Sequence, residues 1–234
     1  MAHKKRYVFW EYFESLLVAV IIAVILRTFV VAAYKIPTGS MIPTLKIGDC
    51  LFAWKLPYGM HIPFTGFTLF GPTSPKRGDV VVFKYPDDPS ISFVKRVIGL
   101  PGDKVEIRQK RVFVNDQMLK YESVPNDDPQ LRDIPMLELY IVQREIIGGL
   151  KHYVMFRRGD DDDSYGPIVI PEGKLFVLGD NRDSSDDSRS WGLVPFGNLE
   201  GRSVLIWASF DWERRGRRLG LPRVRSERLF TVIH

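Results

Sequence analysis

The chain has 234 residues, of which 45% are apolar and 26% charged, and this size and composition suit a folded protein with one or two hydrophobic cores. The sequence contains no repetitive tract, which excludes fibrous, collagen-like and wholly disordered proteins. Its net charge of +5 is matched by residues 213–228, which hold seven Arg and two Glu, so the remainder is electrically balanced. A nucleic-acid-binding protein usually spreads its basic residues over the fold, and the sequence does not favour that class. The single cysteine, Cys50, excludes an intrachain disulfide and a multi-cysteine metal site.

The first long apolar stretch covers residues 15–34 and contains one charged residue, Arg27. A helix of this length spans about 30 Å, the thickness of a hydrocarbon core, and Arg27 lies near enough to its distal end to reach the lipid headgroups. We therefore predict a transmembrane helix over residues 15–34. The basic residues of the preceding segment 1–14 place the N-terminus in the cytoplasm by the positive-inside rule, and the rest of the chain on the outer side.

Two other interpretations of this stretch stay open. A secretory signal peptide also begins with basic residues and an apolar run, and Val31, Ala32 and Ala33 offer small residues where a processing enzyme cuts. A helix that is apolar all round can also be a buried core helix of a large protein.

After the apolar stretch, Pro and Gly alternate with short β-branched runs, which predicts a mostly β fold. A hairpin is expected across Gln109 and Lys110, and the consecutive apolar residues 80–83 predict a strand covered on both faces. The predicted strands are Cys50–Trp54, Asp79–Tyr85, Ser92–Gly99, Lys104–Arg108, Arg111–Val114, Leu175–Leu178 and Ser203–Phe210.

Changes in amino-acid composition divide residues 35–234 into a β core, an inserted lobe and a C-terminal tail. Residues 35–120 and 174–212 are predicted to form one β core in two parts. Between them, residues 121–173 are acidic and irregular, include the run 160–163 of four aspartates, and read as an inserted β lobe. Residues 213–234 are predicted to be a basic, solvated C-terminal tail, either disordered or in weak contact with anionic lipids.

Elimination narrows the possible chemistry. The four histidines, at positions 3, 61, 152 and 234, are scattered and show no metal-ligand spacing, which disfavours a zinc hydrolase. The sequence has no phosphate-binding loop, no dinucleotide fingerprint and no Gly-x-Ser-x-Gly elbow. Nothing around His61 or His152 indicates a Ser-His-Asp triad.

Two polar residues are candidates for nucleophilic catalysis. Ser40 lies on a glycine-flanked turn shortly after the apolar stretch, although such turn residues also simply end a helix. Lys95 alternates with the apolar residues Phe93 and Val97 along a predicted strand, although an edge strand also lets a lysine bend back to water. Burial lowers the pKa of a lysine, and a neutral lysine can act as a general base. An exposed serine and a desolvated lysine are the ingredients of a Ser-Lys dyad.

A third polar element, residues 179–189, follows the predicted strand Leu175–Leu178. It mixes hydroxyl, acidic and arginine side chains, as in a hydrogen-bonded loop that orients other groups. A calcium loop is the competing interpretation, but the characteristic spacing of aspartates with a closing glutamate is missing.

Four blocks together resemble the type I signal peptidases, membrane-anchored serine proteases that remove signal peptides from exported proteins. They occur in the family order: SMIPTL (residues 40–45), RGDVV (77–81), KRVIGLPGD (95–103) and GDNRDSSDDSR (179–189). The resemblance implies a β-rich catalytic core with an inserted lobe and no cofactor or metal ion. It also implies a single-pass protein of the bacterial cytoplasmic membrane, with its catalytic part on the outer face. The implied partners are preprotein signal peptides and membrane lipids, in proximity to the secretion machinery.

The resemblance also implies a role for individual residues. Ser40 would be the nucleophile, Lys95 the general base, and the Ser40 N–H with the Thr38 hydroxyl the oxyanion hole. Relatives from Gram-negative bacteria commonly have serine where Thr38 stands. The remaining residues would orient the base, brace the loop or line the substrate pocket: Ser185 bonded to Lys95, Asp187 paired with Arg189, Asp180 paired with Arg96, and Met41 in the pocket.

Two other functions compete with a signal-peptide-cleaving endopeptidase. A membrane-anchored scaffold that had kept the fold and lost activity would be expected to lack Ser40 or Lys95, and both are present. A self-cleaving regulator with a Ser-Lys dyad usually carries a DNA-binding module, and residues 1–34 contain none.

Overall fold

The computed structural model describes residues 2–58, 73–125, 127–159, 163–215 and 221–234, and its mostly β architecture confirms the predicted fold class. Its longer helix is α1, Ala2–Ile25, which continues as a π-helix over Leu26–Val30, and a short helix α2 covers Ser188–Trp191. The strands are β1 Val31–Lys35, β2 Asp49–Trp54, β3 Val80–Lys84, β4 Ser92–Gly99, β5 Lys104–Arg108, β6 Arg111–Val114, β7 Gln117–Met118, β8 Lys120–Ser123, β9 Tyr140–Ile147, β10 Leu150–Arg157, β11 Tyr165–Val169, β12 Lys174–Leu178, β13 Val194–Pro195, β14 Leu199–Arg215, β15 Pro222–Val224 and β16 Thr231–Val232.

The N-terminal helix is long and apolar enough to span a membrane. The segment Trp10–Val30 has 21 residues and a mean hydropathy of 2.3, and none of its most apolar window is buried. All side chains of residues 10–25 are exposed, so α1 is not the buried core helix of one alternative interpretation. An exposed apolar surface of this extent is typical of a helix that contacts lipid.

The prediction that this helix extends to Tyr34 is wrong. Residues 31–35 form strand β1, which pairs antiparallel with β2 from Val31 opposite Trp54 to Lys35 opposite Cys50. Residues 31–34 are apolar enough to continue a helix, but pairing with a neighbouring strand provides their backbone groups with hydrogen bonds that composition does not reveal. A signal-peptide cut after Ala33 would remove Val31, Ala32 and Ala33 from the five residues of β1.

Most strands join one large antiparallel sheet with the order β1-β2-β14-β3-β4-β12-β13, and β15 and β16 also pair with β14. A second sheet, β11-β5-β6-β7, packs with Phe176 and Leu178 of β12 in a common apolar cluster. As predicted for a strand covered on both faces, Val80–Phe83 of β3 are all buried. The hairpin between β5 and β6 turns at Gln109 and Lys110, which both have positive φ, 46° and 65°.

The stretch described as an inserted lobe supplies a third sheet, β10-β9-β8. Its last strand, β11, instead returns to pair with β5. Strand β10 approaches the core at Met155, whose N–H donates to the Asp180 carbonyl at 2.8 Å. Of the four aspartates 160–163, only Asp163 is among the described residues, and it forms an ion pair with Arg189.

The interpretation of residues after 213 as a solvated tail is wrong for the described segment 221–234. Strands β15 and β16 pair with β14, and the side chains of Arg225 and Arg228 are buried. Arg228 is paired with the buried carboxylate of Asp49 at 2.6 Å. An arginine side chain can be buried when a carboxylate pairs with it. The basic composition of the segment does not indicate that Asp49, far away in the sequence, supplies this carboxylate.

Candidate active site

Ser40 lies in the loop that joins β1 to β2. Met41 and Leu45 are buried in the core beneath this loop, which anchors it while Ser40 stays only half-buried. The loop is closed locally by the Leu45 N–H, which donates to the Met41 carbonyl at 2.8 Å. Ser40 lines a cavity that adjoins this loop.

Lys95 lies on β4, directly opposite Val81 of β3, and is only 4% exposed. Its amine donates to the Ser40 hydroxyl oxygen, with Nζ and Oγ 2.6 Å apart. Burial lowers the pKa of the Lys95 amine to about 8, against the opposing attraction of the Asp187 carboxylate. A lysine with this pKa is neutral in an appreciable fraction of molecules near neutral pH, and in that form it can accept the serine proton.

A cavity of about 440 Å³ opens beside this pair and is lined by Thr38, Ser40, Met41, Phe93 and Lys95, among others. Within the described part of the chain, neither the Ser40 N–H nor the Thr38 hydroxyl donates a hydrogen bond. Two free donors next to a nucleophile are the requirement for stabilising the oxyanion of an acyl-transfer reaction. Met41 is 1% exposed, so it contributes only a small surface to the cavity.

The loop of residues 179–189 packs against the same site. Arg189 Nε donates to Asp187 Oδ1 at 2.8 Å, and the Gly179 N–H donates to the other carboxylate oxygen at 3.0 Å. Although burial on its own raises the pKa of the Asp187 carboxyl, its bonds with Arg189 and Gly179 hold the pKa below its ordinary value. Asp187 therefore carries a fixed negative charge near Lys95.

The pair Asp180 and Arg96 lies deeper, fully buried. Arg96 donates to both carboxylate oxygens of Asp180, at 2.8 Å each, and to the Gly78 carbonyl at 2.7 Å. The Thr44 hydroxyl donates to Asp180 Oδ2 at 2.5 Å. The pair thus joins the strand that carries Lys95 to the loop that carries Ser40.

Comparison with known proteins gives the same family. The profile described as "Signal peptidase, peptidase S26" matches residues 9–208. The signal peptidase I of Pseudomonas aeruginosa is 35% identical over 211 residues, which cover 86% of this chain and 72% of the relative. That of Aquifex aeolicus is 35% identical over 226 residues, 81% of each chain. A crystal structure of a signal peptidase I from Enterococcus faecalis is 30% identical with a TM-score of 0.33, covering 55% of this chain and 95% of that one.

The chain belongs to the signal peptidase family, peptidase S26. It is a serine peptidase of the hydrolase class. Its relatives are bacterial and its N-terminal helix is apolar and exposed, which together indicate a membrane-anchored bacterial enzyme.

One expected contact of this signal peptidase family member differs in the structure. Ser185 was expected to bond the Lys95 amine, but in the described chain its hydroxyl donates to the Asp186 carbonyl at 3.5 Å and not to Lys95. The Lys95 amine is instead directed at Ser40. Ser185 Oγ packs against Gly179, where a Cβ would lie 2.2 Å from it, so the absence of a side chain at Gly179 makes room for Ser185.

Two residues that sequence reasoning left without a role hold the serine loop in this family member. The Asn181 N–H donates to the Ser40 carbonyl at 3.0 Å, and its side-chain amide donates to the Gly39 carbonyl at 3.2 Å. Gly179 allows the two loops to meet, because a Cβ there would lie 2.5 Å from the Ser40 carbonyl oxygen. Both lie in the block 179–189 that carried the resemblance, but their contacts appear only in the folded chain.

No group of three or more His, Cys, Asp or Glu side chains within the described ranges is arranged to hold a metal ion. Asp180 and Asp187 are instead paired with Arg96 and Arg189. The site as described consists of a hydroxyl, an amine, two free hydrogen-bond donors and ion pairs that fix them.

Proposed function

We propose that this chain is a membrane-anchored serine endopeptidase that removes N-terminal signal peptides from exported preproteins through a Ser40-Lys95 dyad. The observation that carries the proposal is the 2.6 Å contact between the buried Lys95 amine and the Ser40 hydroxyl at the edge of an open cavity. Nucleophile and base within hydrogen-bond distance, with the base oriented by further groups, are the general requirement of covalent catalysis.

In the proposed reaction, Ser40 Oγ attacks the scissile carbonyl carbon while neutral Lys95 takes the hydroxyl proton. The oxyanion lies between the Ser40 N–H and the Thr38 hydroxyl, neither of which donates a hydrogen bond to another described residue. Lys95 then returns the proton to the leaving amine, and the signal peptide remains attached to Ser40 as an ester. A water molecule, deprotonated by Lys95, cleaves that ester and restores both residues.

The other residues hold this pair in place. Asp187 with Arg189 braces the loop beside Lys95, and Asp180 with Arg96 connects the strand that carries Lys95, through Thr44, to the loop that carries Ser40. Met41 forms part of the cavity wall. The substrate residues next to the cut are proposed to be small and to contact the buried apolar lining residues Ile36, Met41 and Val82.

We also propose the arrangement at the membrane. The basic N-terminal segment stays in the cytoplasm, α1 crosses the membrane once, and the catalytic core of residues 35–120 and 174–212 lies on the outer face with the lobe of residues 121–173. Since β1 directly follows the π-helical end of the apolar helix, Ser40 lies close to the membrane exit. The substrates are therefore signal peptides presented at the lipid surface, near the secretion machinery that delivers them.

The test is cleavage of a synthetic preprotein in detergent by wild type, Ser40→Ala and the matched control Ser226→Ala, with the cut mapped by mass spectrometry. Ser226 is exposed and outside the cavity. We expect wild type and the control to cut once after a small-x-small site, and Ser40→Ala to be slower by at least about 10³-fold. Folded wild type that does not cut would favour the non-catalytic scaffold instead.

A further inference from the structure

The described C-terminal segment, residues 221–234, contacts the loop that carries Ser40. Thr44 in that loop is held at both of its polar groups: its hydroxyl donates to Asp180 at 2.5 Å, and its carbonyl accepts from Arg228 Nη2 at 2.9 Å. The first contact belongs to the site already described. The second comes from a residue outside every block of the family resemblance.

Arg228 is bound from several directions. It is 5% exposed, and it donates to Asp49 through Nε at 3.1 Å and through Nη2 at 2.6 Å. Asp49 is fully buried at the start of β2, and its carboxylate also accepts from the Lys46 N–H at 2.8 Å. One guanidinium therefore joins Thr44 to Asp49, the beginning and end of the second half of the loop. A planar guanidinium suits this because its donors are fixed relative to one another.

Arg225 extends the same contact. Its Nη1 donates to the Ile47 carbonyl at 2.9 Å and to the Ser209 hydroxyl at 3.2 Å, and Ser209 donates to Asp49 at 2.6 Å. The carbonyls of Thr44 and Ile47 lie in irregular backbone outside the described strands. The two arginines supply these carbonyls with hydrogen-bond donors.

We propose that Arg228, supported by Arg225, is a positioning residue for the peptidase reaction: it fixes the Thr44–Asp49 half of the loop and so keeps Ser40 opposite Lys95. The inference rests on the proposed dyad. Catalytic groups must be held within about 0.5 Å of their productive positions, and a displacement of 1 Å can cost about 10²-fold in rate. Asn181 and Asp180 hold the loop from the core, and Arg228 holds it from the C-terminal segment.

The experiment compares Arg228→Gln and Arg228→Lys with the matched control Arg223→Gln in the chain of residues 1–234. Arg223 lies in the same segment and is exposed, so its substitution removes the same charge without a buried contact. We expect Arg228→Gln to lower kcat about 10- to 100-fold with little change in KM, because Arg228 does not line the cavity that receives substrate. Arg228→Lys, which keeps one donor for Thr44, should lie between, and the control should match wild type.

A second readout does not depend on activity. Hydrogen exchange of the amides of Leu45, Gly48 and Asp49 should be about tenfold faster in Arg228→Gln than in Arg223→Gln, since those amides bond within the loop. If Arg228→Gln does not fold, Arg228→Lys carries both measurements. Unchanged loop exchange, or a folded variant whose kcat stays within about twofold of wild type, overturns the inference. Absence of cleavage by wild type itself counts against the proposed function, and the exchange rates still decide the role of Arg228.

Discussion

Lys95 illustrates how opposing forces set the chemistry of one residue. Its burial and the charge of Arg189 favour the neutral amine, while Asp187, Asp186 and Asp180 favour the ammonium, and the net result is a pKa of about 8. A lysine buried without these carboxylates would have a still lower pKa and would be a weaker base. Asp187 therefore does more than brace a loop with Arg189, because its charge also raises the pKa of the base by more than Arg189 lowers it.

The pH dependence of cleavage should follow this pKa. Below about pH 8 most Lys95 is protonated and cannot take the serine proton, so kcat/KM of wild type should rise with pH and level off above about pH 8. Asp186 raises the pKa, so Asp186→Asn should move the midpoint to lower pH. The measurement is initial rate against pH from about 5 to 10 with both proteins. A flat profile would exclude a titrating base, and a midpoint moved upward in Asp186→Asn would contradict the electrostatic account.

Asp49 is a second buried charge whose neighbours stabilise it, although it takes no part in the proposed chemistry. Its fully buried carboxylate accepts hydrogen bonds from Lys46, Ser209 and Arg228. A buried carboxylate is tolerated only when such donors replace water. This single side chain connects the serine loop, strand β14 and the C-terminal segment.

At the scale of elements, hairpin turns carry conformations that their residues do not prefer. Gln109 and Lys110 between β5 and β6 both adopt positive φ, a region that Gly enters without steric cost. The alternating strands on each side predicted this hairpin correctly from the sequence. The positive φ of the two turn residues could not be predicted, because neither residue is Gly or Asn, the types that usually adopt it.

Gln109→Gly should therefore stabilise the protein by about 0.5–1 kcal/mol, since relief of the left-handed strain outweighs the extra entropy of the unfolded chain. For a chain of this size that amounts to an increase in Tm of about 2 °C. Thermal unfolding checks it, with Gln117→Gly as the control, because Gln117 lies in strand β7 where Gly destabilises. Cleavage activity should be unchanged in both. A lower Tm for Gln109→Gly would show that its side chain contributes more than the strain costs.

At the scale of the whole molecule, the membrane helix and the catalytic core meet at β1. Lys55 donates to the Val30 carbonyl through its N–H at 2.9 Å and to the Thr28 carbonyl through its side chain at 2.8 Å. Tyr34 then packs against the core cluster that contains Met41 and Leu45. The end of the apolar stretch is thus part of the β core, and α1 is not.

Two truncated proteins distinguish the contribution of α1 from that of β1. A protein that lacks residues 2–25 keeps β1 and should retain cleavage in detergent and a Tm near that of the full chain. A protein that lacks residues 2–35 loses the pairing of β1 with β2, so we expect a Tm lower by more than about 5 °C and reduced cleavage, because β1 leads directly into the Ser40 loop. Both should lose binding to vesicles. Equal Tm values for the two truncations would mean that β1 does not stabilise the core.

The sequence alone predicted the mostly β fold, and predicted the bounds of Ser92–Gly99, Lys104–Arg108 and Arg111–Val114 as the structure has them. These elements are read from alternation and turn residues, which are local properties of the chain. The helix end at Tyr34 and the solvated C-terminal tail were wrong. The helix ends early because residues 31–35 pair with strand β2, and the C-terminal segment is ordered because Arg228 pairs with the Asp49 carboxylate. The composition of either segment does not reveal such a partner elsewhere in the chain.

The sequence by itself determined the family, because four blocks of residues occur in it in the right order, and it named Ser40 and Lys95 as candidates. Only the tertiary structure brought the two within 2.6 Å, bonded the Ser185 hydroxyl to the Asp186 carbonyl, and placed Asn181 against the serine loop. It also joined Arg228 to Asp49, which are 179 positions apart in the chain. The physical reason is that local backbone preference acts over a few residues, whereas burial and ion pairing depend on which segments the fold brings together.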